Sequence, residues 1–212
     1  MSQLSGKLAI VTGASRGTCL MVLRQRLPNR SNPAGIGEAV AHNLADKGAD
    51  LVLNHSSASS AQDCNRVADE LRARHPARSV VVVQADMGSV NGPRAVVAAA
   101  PGRQIDVVVN NAGVSGNHHI HEVTVDEFDR QYRVNVRGPL LLLQAALPFL
   151  PADRSGRIVN VSSVSATLGL HAQSVYGGTK AALDAMTRTW ARELAERATV
   201  NSVNPGPVDT RM

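Results

Sequence analysis

The chain has 212 residues, 43% hydrophobic and 18% charged, enough to bury a core and too apolar for a disordered polymer. Its formal charge is +5, but Arg24, Arg26 and Arg30 crowd one acid-free segment, without which 19 basic residues face 17 acidic ones. Aromatic residues are only 2%, too few to stack bases, so nucleic-acid binding is excluded as a function class.

Taken in chain order, short apolar, β-branched runs alternate with longer helical patterns. Strands are expected at 7–12, 49–54, 79–86, 105–111, 156–163 and 199–205. Most are apolar on both faces, as parallel strands covered by helices on each side must be. Helices are expected at 37–48, 59–75, about 90–100, 124–150 and 174–197. Thr124 followed by Glu127 has the spacing of a capping box and marks the start of the fourth helix. This alternation implies an α/β fold, one doubly wound, three-layer parallel sheet spanning 1–212, with ligands beyond the carboxyl ends of the strands. Cys19 and Cys64 make no disulfide framework, and the longest apolar run, 139–150, is too short to span a bilayer and is broken by Gln144 and Pro148. No apolar stretch of signal-peptide length precedes the first strand, so a cytoplasmic, soluble protein is expected.

After the first strand come TGASRG (12–17), an atypical segment (18–35) and then IGEAVA. Gly13, Gly17 and Gly37 make a glycine-rich turn once that segment is excised. Glycine is needed where the chain turns tightly and its backbone approaches a pyrophosphate at a helix N-terminus. An ordinary strand-to-helix turn is the alternative reading, which this motif alone does not separate from the first. Two hypotheses account for 18–35. It is a translated intron, because Gly17, Thr18-Cys19, Pro28-Asn29 and Ala34-Gly35 permit donor, branch and acceptor codons. Or it is a surface loop, with Gly35 standing in for Gly17. A transcript joining codon 17 to codon 36 would sink the loop hypothesis, and one retaining the segment would sink the intron.

Further along, NNAG (110–113) ends the fourth strand with small residues that either let the backbone lie against a ligand or simply turn. His118, His119 and His121 invite a metal, but no carboxylate or cysteine cluster accompanies them, and none is expected there. Asn135 sits in an otherwise apolar helix, where a buried amide needs partners. It is read as a helix-distorting relay element or as a satisfied core amide. Ser163 ends the fifth strand thirteen residues before Tyr176, and Lys180 follows Tyr176 by four, on the same helix face. A lysine ammonium there favours the phenolate and pulls the tyrosine down from about 10. The serine can hold a substrate oxygen beside that phenol, which is equipment for moving a proton at an alcohol oxygen while a hydride moves at carbon. Met186, Trp190 and Leu194 read as core or oligomer-face packing. Asn204, Pro205, Gly206 and Pro207 form a rigid turn after the last strand, with backbone donors to offer.

TGASRG…IG, NNAG, VNV, SS, YxxxK and NPGPVDT occur here in the order and spacing of the short-chain dehydrogenase/reductase family, which the chain resembles from about residue 5 to 212. Within it the resemblance is to 3-oxoacyl-carrier-protein reductases and fungal polyketide-type ketoreductases. The resemblance implies a Rossmann-like subunit, an NAD(P)(H) cofactor and hydride transfer to a ketone or from a secondary alcohol. It implies Tyr176 as catalytic acid/base, Ser163 as substrate-oxygen anchor, Lys180 as ribose-binding tuner of the tyrosine, and Asn135 as the completion of a water-linked proton relay. For the cofactor it implies Gly13, Ser15, Arg16, Gly17, Ile36 and Gly37 in the turn, with Asn54, His55 and Ser56 after the second strand. Asp86 and Met87 fall at the adenine, and Asn111, Ala112 and Gly113 along the ribose. Tyr176 and Lys180 themselves follow, then Pro205, Gly206, Val208 and Thr210 at the carboxamide. NAD-specific members usually carry an acid after strand two. Here LVLNHSS has none, and Arg16 can meet a 2′-phosphate, so NADP(H) is expected. The expected function is NADPH-dependent reduction of a ketone, 3-oxoacyl or polyketide-like. The alternative is a catalytically impaired NADP-binding relative or a mis-spliced product.

The expected partners are a small-molecule or acyl-carrier-bound carbonyl substrate and further copies of the chain as a homodimer or homotetramer, with no membrane and no metal. The family's pattern runs on past the TRM at which this sequence stops, with a substrate-covering helix pair, a last strand and a final helix. From that difference an exposed sheet edge, reduced stability and weak turnover are expected.

Overall fold

The computed structural model describes residues 3–15, 35–102 and 104–208. In it all six expected strands are present: β1 (Leu8–Val11), β2 (Asp50–His55), β3 (Val80–Gln84), β4 (Val107–Asn110), β5 (Gly156–Val161) and β6 (Ala198–Val203). They pair in parallel in the order β3-β2-β1-β4-β5-β6. The order reverses beside β1, so the ends of β1 and β4 diverge into a crevice, the place where doubly wound sheets take ligands.

Side-chain alternation divides the core between the two faces. Ile10 lies in register with Val52 and Val108, and Val108 with Ile158, all fully buried. This row packs against α3 (Gly92–Ala98), α5 (Gly138–Ala146) and α7 (Ser174–Glu193), through Val96, Leu142, Leu183 and Trp190. The opposite parity, Ala9, Val11, Leu51 and Leu53, packs against Ala41 of α1 (Ile36–Asp46) and Val67 and Leu71 of α2 (Ala58–Arg74). Both faces are covered, which is why these strands read as continuous apolar runs. Of the two packing roles expected for them, Leu194 and Trp190 take the core one. Burial pushes the Cys64 thiol up to about 11, which leaves it an inert core side chain.

Three expectations need correction. The single helix expected over 124–150 is a series: α4 (Val125–Tyr132), a π-turn (Arg133–Arg137), α5 and a short 3₁₀ turn (Leu147–Phe149). The π-turn is centred on Asn135, whose amide pairs outside the helix. The capping box is only half formed, since Thr124 accepts from the Glu127 N–H at 3.2 Å while the Glu127 carboxylate goes to Arg130 and Gln131. A short helix, α6 (Ser165–Leu168), was not expected; four residues are too few to show a helical period.

At the amino edge of the sheet Asp106 binds Lys7 at 2.9 Å and the Leu8 N–H at 2.9 Å. The carboxyl edge ends instead in Thr12, Asn54, Asp86, Asn111 and Ser163, so polar groups, all but Asp86 uncharged, gather at that rim. No helix among the described residues is long and apolar enough to cross a membrane.

Candidate active site

The rim is built first from backbone contacts. Gly13 has φ +62°, and a Cβ there would lie 2.9 Å from Ala112 Cα. A Cβ on Gly37 would lie 2.4 Å from the Gly13 carbonyl and 2.5 Å from Asn111 Nδ2. The start of α1, the turn after β1 and the end of β4 therefore meet at distances that only glycine allows. Gly35 is the N-cap of α1. Asn111 ties the junction by donating to the carbonyls of Thr12 at 2.9 Å and Gly13 at 3.0 Å. Thr12 Oγ1 accepts from the N–H groups of Asn111 and Ala112, each at 3.0 Å.

Over this junction lies a cleft of about 460 Å³. Of the residues expected at a cofactor, Gly13, Ser15, Asn54, His55, Ser56, Asp86, Met87, Asn111, Ala112 and Gly113 line it. Ile36 and Val208 line a neighbouring depression on α1 instead, and the Pro205 carbonyl accepts from the Val164 N–H at 3.1 Å. Arg16, Gly17 and Thr210 lie outside the described residues. Asn54 corrects an expectation. Its amide donates to the carbonyls of His55 and Ala85 and its oxygen accepts weakly from the Gly13 N–H, so it latches β2 to β3 and the turn rather than offering donors to a ligand. Asp86 turns one carboxylate oxygen to the Gly88 N–H at 2.8 Å. Arg130, Arg133 and Val134 also line the cleft and were missed. They come from the far side of α4 and the π-turn, and only the adjacency of Val134 to Asn135 hints at them.

The second half of the site stands on β5 and α7. Ser163 is 4% exposed at the end of β5, and Tyr176 and Lys180 are 2% and 1% exposed on one face of α7. Lys180 Nζ donates to the Val161 carbonyl at 2.7 Å and lies 5.6 Å from the centre of the Tyr176 ring. Burial pulls the ammonium down to about 8, opposed by the Asp184 carboxylate. Asn135 is a satisfied core amide that also sits at a distortion of the helix. It is 1% exposed, its oxygen accepts from the Val114 N–H at 2.8 Å, and its nitrogen donates to the Val114 carbonyl at 2.7 Å and to Thr179 Oγ1 at 3.0 Å. The amide is satisfied, and the π-turn that frees it distorts the helix. Thr179 in turn donates to the Tyr176 carbonyl at 2.7 Å, joining the π-turn to the helix that carries Tyr176 and Lys180. Thr179 was missed, although it stands inside YGGTK.

Beside Ser163 opens a second cavity, about 540 Å³, lined by His118, His119, Ile120, Ser165, His171 and Gln173 among others. The His119 ring lies edge-on to His171 at 4.8 Å and stacks on His121 at 5.7 Å. The other candidate metal grouping, Glu38, His42 and Glu70, is bridged by Arg66, which binds Glu38 at 2.9 Å and Glu70 at 2.8 Å; it is an ion-pair staple between α1 and α2. A buried lysine beside a tyrosine, a strand-end serine and a glycine-floored cleft can together hold a dinucleotide and exchange a proton with a bound oxygen.

Comparison with known proteins gives the same direction. The family described as short chain dehydrogenase matches residues 32–212. The chain is 47% identical to an L-xylo-3-hexulose reductase of Hypocrea jecorina over 95% of its length, and 44% identical to an L-xylulose reductase of Aspergillus niger over 97%. It spans 66% and 68% of those two proteins. Among solved structures, a blue fluorescent protein from a metagenomic library, in complex with NADPH, superposes with a TM-score of 0.85 at 37% identity, covering 99% of this chain and 77% of that one. The angucycline C-6 ketoreductase LanV with bound NADP is 32% identical with a TM-score of 0.82, covering 98% of this chain and 75% of that one.

Proposed function

The chain belongs to the short-chain dehydrogenase family, and from that premise we propose that it is an NADP(H)-dependent oxidoreductase that reduces a ketone to a secondary alcohol. The observation that carries the reading is Lys180. A lysine 1% exposed is costly to keep in a fold unless its charge is used, and it lies against Tyr176.

The residues present fit a dinucleotide. A side chain at Gly13 or Gly37 would collide with backbone, so the junction is shaped for a close backbone approach below a cleft of about 460 Å³. Asp86 and Met87 would hold the adenine, Asn111 and Gly113 the neighbouring ribose, and Lys180 the nicotinamide ribose. His55 and Ser56, which stand after β2 with no acid beside them, would meet a 2′-phosphate. When bound, the nicotinamide supplies a hydride to the carbonyl carbon.

The protein's own part is at oxygen. Ser163 holds the ketone oxygen and Tyr176 protonates it. The Lys180 ammonium stabilises the phenolate left behind and returns a proton to it. Asn135, through Thr179, fixes the segment facing Lys180. The cavity beside Ser163 carries three imidazoles, two serines, a threonine and an amide among apolar neighbours such as Ile120 and Leu170, so it can offer hydrogen bonds to the hydroxyls of a hydroxylated ketone. The two ketose reductases named above support the same reading, which extends the expectation of a 3-oxoacyl or polyketide-like substrate to polyhydroxy ketones.

The test is NADPH oxidation by the full chain against L-xylulose, an acetoacetyl thioester and a hydroxylated aromatic ketone, alongside an NADPH titration. Turnover of at least one ketone, fastest with the polyhydroxy ketone, is expected. Tight NADPH binding with no turnover on any of them would leave a binding protein without chemistry and defeat the reading.

A further inference from the structure

Ser163 is the end of a hydrogen-bonded chain. Its Oγ–H donates to Ser165 Oγ at 3.2 Å, and the Ser165 N–H donates back to Ser163 Oγ at 3.2 Å. Ser165 Oγ donates to Gln173 Oε1 at 2.8 Å, and Gln173 Nε2 donates to Asn117 Oδ1 at 2.9 Å. Ser163, Ser165 and Gln173 are all buried, so water does not compete for these bonds. Gln173 is set by its backbone as well: the preceding Ala172 adopts φ 59°, and its carbonyl accepts from the His118 N–H at 2.8 Å.

The chain has a direction. An amide oxygen can only accept, so the Ser165 proton is committed to Gln173, and Ser165 Oγ can meet Ser163 only as an acceptor. The single Ser163 proton is thereby turned to Ser165. One Ser163 lone pair takes the Ser165 N–H, which leaves the other for a bound group. The two ends of the reaction differ at this point. A ketone oxygen only accepts, whereas an alcohol hydroxyl also donates.

We propose that Ser165 and Gln173 are positioning residues that set the polarity of the Ser163 hydroxyl, so that the resting site receives an alcohol as it stands and must turn the Ser163 proton to hold a ketone. The proposal rests on the ketoreductase reading above and deepens it. It makes the pair a brake on ketone binding worth about the fold-change of one neutral hydrogen bond, roughly fivefold to tenfold.

Three variants of the full chain test it, by steady-state kinetics in both directions with L-xylulose and its alcohol, or with whichever ketone of the panel the wild type turns over best. Ser165→Ala removes the acceptor. Gln173→Leu frees the Ser165 proton to turn towards Ser163. Gln173→Glu keeps an oxygen that accepts from Ser165. The KM for alcohol divided by the KM for ketone is expected to rise about fivefold to tenfold in the first two and to stay within about twofold in the third. The kcat ratio shifts to compensate, because the overall equilibrium is fixed, and the Kd for NADPH is unchanged. An unmoved KM ratio in Ser165→Ala and Gln173→Leu overturns the proposal. So does an equal loss in both directions in all three variants with a lowered Tm, which marks a packing role. With a working wild type these results leave the ketoreductase reading standing; a wild type inert towards every ketone takes both down.

Discussion

The Lys180 ammonium lies inside the protein, and burial draws it from 10.5 to about 8. The folded value is depressed, so between about 8 and 10.5 the unfolded chain binds the extra proton. Stability should therefore rise with pH across that window, and the folded state carries the full deficit below it. Lys180→Met lacks this dependence. The stability of the wild type relative to the variant should grow by about 3 kcal/mol between neutral pH and pH 10.5, read by urea denaturation at both ends. Parallel curves would mean that the lysine is solvated in solution. The same titration bears on activity: ketone reduction should fall above about pH 8 as the ammonium is lost. Tyr176→Phe should lower kcat about a thousandfold while NADPH binding persists, because only the proton donor is removed. Lost binding would count against these roles. At this scale the sequence was informative about identity and spacing: Ser163, Tyr176, Lys180 and Asn135 were all legible. It was not informative about neighbours such as Thr179, Ser165 and Gln173, because a hydroxyl or an amide has no pattern until its partner is placed.

Elements fix those neighbours. The approach of α1 to the turn after β1 leaves no room for a methyl group on Gly37, whose Cβ would lie 2.4 Å from a carbonyl oxygen. Gly37→Ala should cost about 1–3 kcal/mol and weaken NADPH binding, as seen by thermal melts and titration, because α1 must back away from the cleft. Unchanged binding would show that the junction does not carry the cofactor. In the segment between α6 and α7, Ala172 holds φ 59° without being glycine. Ala172→Gly should stabilise the fold by up to about 1 kcal/mol, and a melt that falls instead would place the strain elsewhere. The strands and most helices were legible from periodicity. The π-turn at 133–137 was not, because it inserts one residue into a helical pattern without disturbing its hydrophobicity. Only the buried Asn135, which has to find partners outside the helix, pointed to it.

For the molecule as a whole, position in the sheet outranks residue type. Ile10 is fully buried on the central strand, and Ile120 is 85% exposed at the rim of the second cavity. Ile10→Ala should cost about 2–5 kcal/mol and Ile120→Ala less than about 0.5 kcal/mol, measured by urea denaturation. Similar losses would contradict the two-faced core. By itself the sequence determined the α/β alternation, the polar carboxyl rim, the tyrosine–lysine spacing on α7 and the absence of an acid after β2, because each depends on residues close together in the chain. The tertiary structure alone decided the strand order, the contribution of Arg130, Arg133 and Val134 to the cleft, the inward turn of Asn54, and the directed bonds from Ser163 to Gln173. Each of these rests on groups brought together across a parallel sheet, where crossovers separate neighbours in space by long stretches of sequence, and no local pattern records which polar atoms will meet.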